Sequence, residues 1–201
     1  MIKIGITGSI ASGKTTASKI LSKKRGPLFS ADSTVLGLYK NNVFKSLIAK
    51  KFGIKKNNQI KKSIKEKIFR NENNLKKLEK IIHPLVRKKM KKFTQQNKNK
   101  KILFYEIPLL VESNLMKYFD IIIFIKSKKL LRLRRFISKK GNKKLFNLLN
   151  NKQMSEYKKV KFCDYVVVNE RNLKILKKNL SSIIEKYEWS FFRYRDNRPI
   201  F

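Results

Sequence analysis

The sequence predicts an α/β protein built on a five-stranded, mostly parallel sheet with helices on both faces. Two observations carry this expectation. Apolar runs of strand length alternate along the chain with longer amphipathic segments. The first such run, Ile2 to Ile6, leads into Gly8-Ser9-Ile10-Ala11-Ser12-Gly13-Lys14-Thr15, and a helix-like segment opens immediately after it. That is the pattern G-x-x-x-x-G-K-[ST] in the strand–loop–helix setting it needs.

The elements follow in order. Residues 2–6 read as the first strand, and Leu28-Phe29 as a short second after the Gly26-Pro27 turn. Residues 102–105, 121–125 and 165–168 are the third, fourth and fifth. Ile121-Ile122-Ile123-Phe124-Ile125 is apolar on both faces, as a buried parallel strand must be. Between strands two and three, roughly 33–98 is helical in pattern. Leu75, Leu78, Ile82, Leu85, Val86 and Met90 recur at three- and four-residue steps, and Pro84 is expected to kink or break the helix there. Segment 128–161 is helical, with Leu130, Leu131 and Leu133 on its apolar side, and residues 171–187 form a closing helix. The tail from 189 to 201 is aromatic and basic and reads as strand or coil packed on the core.

Composition narrows the setting. At 201 residues the chain is long enough for one domain with a proper core. No apolar stretch approaches the ~18 residues of a membrane span. Met1 leads straight into a strand without a signal peptide's basic region, and a single cysteine, Cys163, excludes an intramolecular disulfide. A cytoplasmic, monomeric protein with no membrane partner is the expectation.

The net charge of +38 suggests a nucleic-acid binder at first sight. The lysines are scattered through the helical segments rather than gathered in a stripe. Lysine outnumbers arginine 41 to 10, and Asn, Ile and Phe are abundant, as A/T-biased codons would produce. Nucleic acid is therefore not the expected partner. The field still favours anionic ligands, whose arrival it speeds at low salt.

The loop carries the chemistry. Its glycines let successive N–H groups point inward at phosphate oxygens, and the following helix adds the positive end of its dipole. Lys14 reaches the β- and γ-phosphates, and the Thr15 hydroxyl is a Mg²⁺ ligand. A nucleoside triphosphate held by Ala11, Ser12, Gly13, Lys14, Thr15 and Thr16, with Mg²⁺ on Thr15, is the expectation.

Further along come Ser30-Ala31-Asp32 after strand two, and Leu78 to Val86 with His83-Pro84. Glu106-Ile107-Pro108-Leu109-Leu110-Val111-Glu112 follows strand three. Arg134, Gln153 and Cys163 to Asn169 complete the series. In this order and spacing the chain resembles the dephospho-CoA kinase family, from residue 2 to about 188. The His-Pro and Pro-Leu-Leu-x-Glu segments are the most specific parts of the likeness, because ordinary nucleoside monophosphate kinases lack them.

The resemblance implies a P-loop kinase core at about 1–31, 101–127 and 163–188 of a single kinase domain. It adds a helical CoA-binding insertion at about 32–100 and a mobile helical lid at about 128–162. The implied activity is transfer of the γ-phosphate of ATP to the ribose 3′-hydroxyl of dephospho-CoA, the last step of coenzyme A synthesis. Lys14, Asp32 and Arg134 are then the implied catalytic residues. Asp32 would orient the 3′-hydroxyl or accept its proton, and Arg134 would be a lid arginine on the transferring phosphoryl group. Thr7, Asp32, His83, Pro108, Leu109 and Glu112 are implied at the dephospho-CoA site.

Read without the resemblance, Asp32 is equally a helix N-cap, and Arg134 is one of a solvated face. Glu106 is either a strand-end charge or an acceptor for metal-bound water. Cys163, in an apolar setting, reads as inert. Two rival functions stay open on residues alone: a nucleoside-monophosphate-type kinase and a basic nucleic-acid-binding P-loop protein.

The chain departs from the family's pattern at several positions. Ser9 and Ala11 stand where the loop has glycines, and Ala11 is unstrained only if its φ is negative. Ser30 replaces an aspartate, and Leu36, Ser138 and Leu148 replace basic residues. Each lost charge-assisted contact is worth about 1.5–3 kcal/mol, which points to a slower enzyme.

Overall fold

In the computed structural model the described residues are 1–196, with side chains to Tyr187. The strands are β1 (Ile2–Gly8), β2 (Leu28–Ser30), β3 (Ile102–Glu106), β4 (Ile121–Lys126) and β5 (Tyr165–Val168). They form one parallel sheet in the order β2-β3-β1-β4-β5. All five residues of β3 and the first five of β4 are buried, which is why their runs show no polar alternation. β1 is the central strand. Ile6 lies beside Glu106 on one side and Ile123 on the other. The chain crosses to opposite sides of β1 in reaching β3 and β4, and sheets of this kind bind ligands at the carboxyl edge of such a switch.

The chain divides into two compact units: Met1–Phe29 together with everything from Asn99 on, and Ser30–Lys98. In the first, α1 (Lys14–Ser22) and α9 (Leu173–Asp196) cover the sheet. Ala17 and Leu21 of α1 meet Ile4, Ile6, Ile102, Phe104, Ile123 and Ile125, and Leu176, Leu180 and Ile184 of α9 complete the cluster. Each large side chain buried this way contributes about 1.5–3 kcal/mol. Three further helices, α6 (Lys129–Ser138), α7 (Lys143–Lys152) and α8 (Glu156–Val160), lie between β4 and β5 in sequence. Asn142 and Ser155 cap α7 and α8 by accepting from the Leu145 and Lys158 N–H groups.

The second unit is wholly helical: α2 (Ala31–Leu38), α3 (Asn42–Phe52), α4 (Ile60–Arg70) and α5 (Asn73–Gln96). Its own core joins Leu38, Phe44, Ile48, Phe52, Ile60, Ile64, Leu78 and Ile82.

One sequence expectation is narrowed and another corrected. Pro84 does not break its helix, because α5 runs through it for 24 residues, and of the two expected effects only a kink is left. An internal proline removes one i→i−4 bond, and here the apolar stripe holding Leu78 and Ile82 in the core outweighs that loss. The aromatic segment expected as strand or coil is helical as far as Asp196. Nothing between Leu173 and Asp196 is a glycine or proline, so no residue there stops α9. Residues 197–201 of that tail lie outside the described residues.

Candidate active site

At the carboxyl end of β1 the chain turns into the phosphate loop. A Cβ on Gly8 would meet the Ile125 carbonyl oxygen at 2.5 Å and Ser12 Oγ at 2.8 Å, so only glycine fits. Gly13 has φ +98°, serves as the N-cap of α1, and a Cβ there would collide with Asn169 Nδ2. Ala11 between them has φ +57°. The loop therefore carries the strain that a negative φ would have avoided, roughly 1–2 kcal/mol for an L-residue in the left-handed region.

No side chain caps α1. Its first-turn N–H groups and the positive end of its dipole therefore converge on the loop. Ser12 Oγ is buried there with no hydrogen-bond partner among the described residues. Lys14 is buried and donates from Nζ to the Ser9 carbonyl at 2.8 Å, which lays its ammonium across the loop. A cradle of N–H groups, an orphaned hydroxyl and a lysine ammonium fits a polyphosphate chain.

Thr15 donates from Oγ1 to Glu106 Oε1 at 2.5 Å. Glu106 is 1% exposed, at the end of β3 beside Ile6 of β1. The pair sets two hard oxygen donors side by side at the first turn of α1, a donor set suited to Mg²⁺, which takes few protein oxygens and keeps water and phosphate as its other ligands. Thr7 is fully buried, and its hydroxyl donates to the Pro108 carbonyl at 3.1 Å. That bond ties the end of β1 to the segment after β3, where Pro108 and Leu109 are half-buried.

Residues from α6 to β5 grip the loop from outside. Arg132 is 5% exposed. It donates from Nε to the Ser127 carbonyl (3.0 Å) and from Nη1 to Asn150 Oδ1 (2.9 Å) and the Ile10 carbonyl (3.4 Å). Its Nη2 pairs with Glu156 Oε1 at 3.3 Å. Burial pushes the Arg132 pKa down and the Glu156 carboxylate opposes that; a guanidinium stays charged regardless. Ser9 Oγ donates to Glu156 Oε1 at 2.7 Å, and the Ile10 N–H donates to Gln153 Oε1 at 2.9 Å. Arg135 donates to Ser127 Oγ (3.2 Å), the Asn169 carbonyl (3.0 Å) and, at 3.4 Å, the Ser12 carbonyl. Asn169 Nδ2 also donates to the Ser12 carbonyl, at 2.9 Å.

The expected lid arginine, Arg134, is exposed, whereas Arg132 and Arg135 reach the loop. The reason is helical geometry. Residues three apart share a face, while Arg134 is turned about 100° from its neighbour.

Glu112, expected at the dephospho-CoA site, pairs through Oε1 with Lys159 Nζ at 2.6 Å and accepts the Met154 N–H at 3.1 Å. Lys159 is fully buried, so α8 is fastened to the segment after β3 by a largely desolvated ion pair.

In the helical unit, Asp32 is exposed in the first turn of α2. The N-cap of that helix is Ser30, whose Oγ accepts the Ser33 N–H at 3.3 Å, so capping is not Asp32's role. His83 is half-buried in the middle of α5.

Cys163 is half-buried and donates from Sγ to the Lys159 carbonyl at 3.2 Å. Burial, then the nearby Asp164 charge, push its pKa up to about 12 against the pull of Lys159, and the thiol is accordingly inert at neutral pH.

Sequence reasoning did not single out Gln153, Glu156, Asn150, Lys159 or Asn169 as site residues. One signal was present. With 51 basic and 13 acidic residues, each acid in this chain is scarce, and Glu106, Glu112, Glu156, Asp120 and Asp164 all make specific contacts.

Residues 2–174 match the family model for dephospho-CoA kinase. The chain is 37% identical over 187 residues to a dephospho-CoA kinase of Bartonella quintana (strain Toulouse), covering 90% of this chain and 96% of that one. It is 32% identical over 189 residues to one from Rickettsia conorii, covering 94% and 98%. Among solved structures, a dephospho-CoA kinase from Campylobacter jejuni aligns with a TM-score of 0.65 at 26% identity, covering 92% of this chain and 96% of that chain.

Proposed function

This chain belongs to the dephospho-CoA kinase family, and on that premise we propose a division of labour within the site. The reaction is ATP-dependent phosphorylation of dephospho-CoA, in coenzyme A synthesis. The γ-phosphoryl group leaves the β-phosphate oxygen of ATP and bonds to the ribose 3′-oxygen, while the hydroxyl proton departs to a base. Such a transfer asks the protein for positioning and charge neutralisation rather than covalent chemistry.

The N–H groups from Ala11 to Thr16 hold the donor phosphates, and Lys14 neutralises charge on the β- and γ-oxygens. Thr15 and Glu106 are the residues that would hold Mg²⁺, which when bound draws charge from the phosphates. Asp32 receives the 3′-hydroxyl proton or orients that hydroxyl. Arg135, rather than Arg134, supplies the guanidinium beside the donor phosphates. Thr7 serves by fixing Pro108, and Glu112 by fastening α8. His83, Pro108 and Leu109 belong to the dephospho-CoA side.

The observation that most supports the donor half is the Thr15 hydroxyl held on the buried Glu106 carboxylate, beside a helix N-terminus with no side-chain cap. An ADP-release assay with and without dephospho-CoA tests the reading. Release should require both dephospho-CoA and Mg²⁺, and should fall at least ~10²-fold in Asp32→Asn. Full turnover in that variant would remove Asp32 from the assignment.

A further inference from the structure

Ala11 sits at φ +57°, where an alanine does not rest of its own accord. Something must hold it. The preceding residue, Ile10, is gripped on both backbone groups: its N–H by Gln153 Oε1 at 2.9 Å and its carbonyl by Arg132 Nη1 at 3.4 Å. One residue earlier, Ser9 Oγ is anchored on Glu156 Oε1 at 2.7 Å. The gripping groups are themselves fixed. Arg132 is 5% exposed and bonded to the Ser127 carbonyl, Asn150 and Glu156. Gln153 and Glu156 flank Ser155, whose hydroxyl caps α8.

We propose that Gln153, with Arg132 and Glu156, is a positioning residue of the phosphate loop. This side-chain clamp keeps Ala11 left-handed, and so keeps the loop's N–H groups turned toward phosphate. Glycine visits this conformation about as readily as its mirror image, so a glycine at position 11 would not need the clamp. Here an alanine occupies it, and residues more than a hundred positions away supply the constraint. Loss of the Gln153 acceptor lets Ile10 rotate and Ala11 relax to negative φ, and the N–H groups then turn away. The proposal rests on the reading of Gly8–Thr15 as the ATP-phosphate site.

The test is a double-mutant cycle between Gln153→Ala and Ala11→Gly with two readouts: the dissociation constant for Mg²⁺–ATP, and amide hydrogen exchange of Ala11 to Gly13 in the ligand-free protein, Ile10 being left out because its N–H is the group bonded to Gln153. Gln153→Ala in the native background should weaken Mg²⁺–ATP binding about tenfold and speed loop exchange by a similar factor. In the Ala11→Gly background the same substitution should change either quantity less than about threefold. Equal penalties in both backgrounds overturn the proposal. So does a fall in the thermal midpoint with loop exchange unchanged, because that assigns Gln153 to stability alone. If the native protein bound no Mg²⁺–ATP, the phosphate-site reading would fail, and the exchange cycle would still decide whether the clamp exists.

Discussion

The two halves of the Gly8–Thr15 loop are held by different means. From Gly13 to Thr15 the chain is held by its own residue types. Gly13 takes a φ only glycine tolerates well, Lys14 crosses back to Ser9, and Thr15 leans on Glu106 at the end of the neighbouring strand. From Ser9 to Ala11 it is held by side chains from the α6–α8 region, because its own residues do not favour the shape they adopt. The first arrangement needs, outside the motif, chiefly the Glu106 carboxylate that β3 brings to Thr15. The second makes phosphate binding depend on the helices between β4 and β5.

Breaking the self-held half should cost most. Lys14→Ala removes the ammonium from the phosphates, and kcat/KM for ATP should fall at least ~10³-fold with little change in the thermal midpoint. The neighbouring arginines provide a sharper contrast. Arg135→Ala should lower kcat/KM about 10–100-fold, and Arg135→Lys should not restore it, because an ammonium cannot span the Ser127, Asn169 and Ser12 oxygens as a guanidinium does. Arg134→Ala, on the exposed face of α6, should stay within about twofold.

The externally held half should show itself first in stability. Glu156→Ala strips the partner from a buried guanidinium and should destabilise the fold by about 2–3 kcal/mol in urea unfolding. Ala11→Gly moves the other way. It relieves a left-handed alanine at some cost in unfolded-chain entropy, for a net gain of about 0.5–1 kcal/mol, or roughly 2–3 °C in thermal midpoint. The smallest effect belongs to a residue outside both halves. The raised pKa leaves Cys163 protonated through neutral pH, so its alkylation at pH 8 should be slow in the folded protein and fast after unfolding.

The same contrast explains what could be read from the chain. The self-held half was legible because glycine, lysine and threonine at fixed spacing have few other reasons to occur after a strand. The five strands were legible because parallel strands buried on both faces leave continuous apolar runs, as in residues 121–125. The clamp was not. Gln153 lies just after α7 and Glu156 opens α8, and their meaning as a clamp depends on contacts across 143 and 147 residues. Arg134 comes from the resemblance, and helix phase, which residue type does not give, is what turns Arg135 toward the loop. Pro84 leaves α5 unbroken because an interior proline weakens a helix locally, while the decision to continue is made by packing along the whole stripe.

The reaction itself is tested most directly by identifying where the phosphate goes. Purified protein given ATP, Mg²⁺ and an equal mixture of dephospho-CoA, AMP and dAMP, with products resolved by mass spectrometry, should yield ADP and coenzyme A in equal amounts and leave both monophosphates unchanged. Phosphate appearing on a nucleoside monophosphate, or ADP formed with no phosphorylated acceptor, would contradict the account.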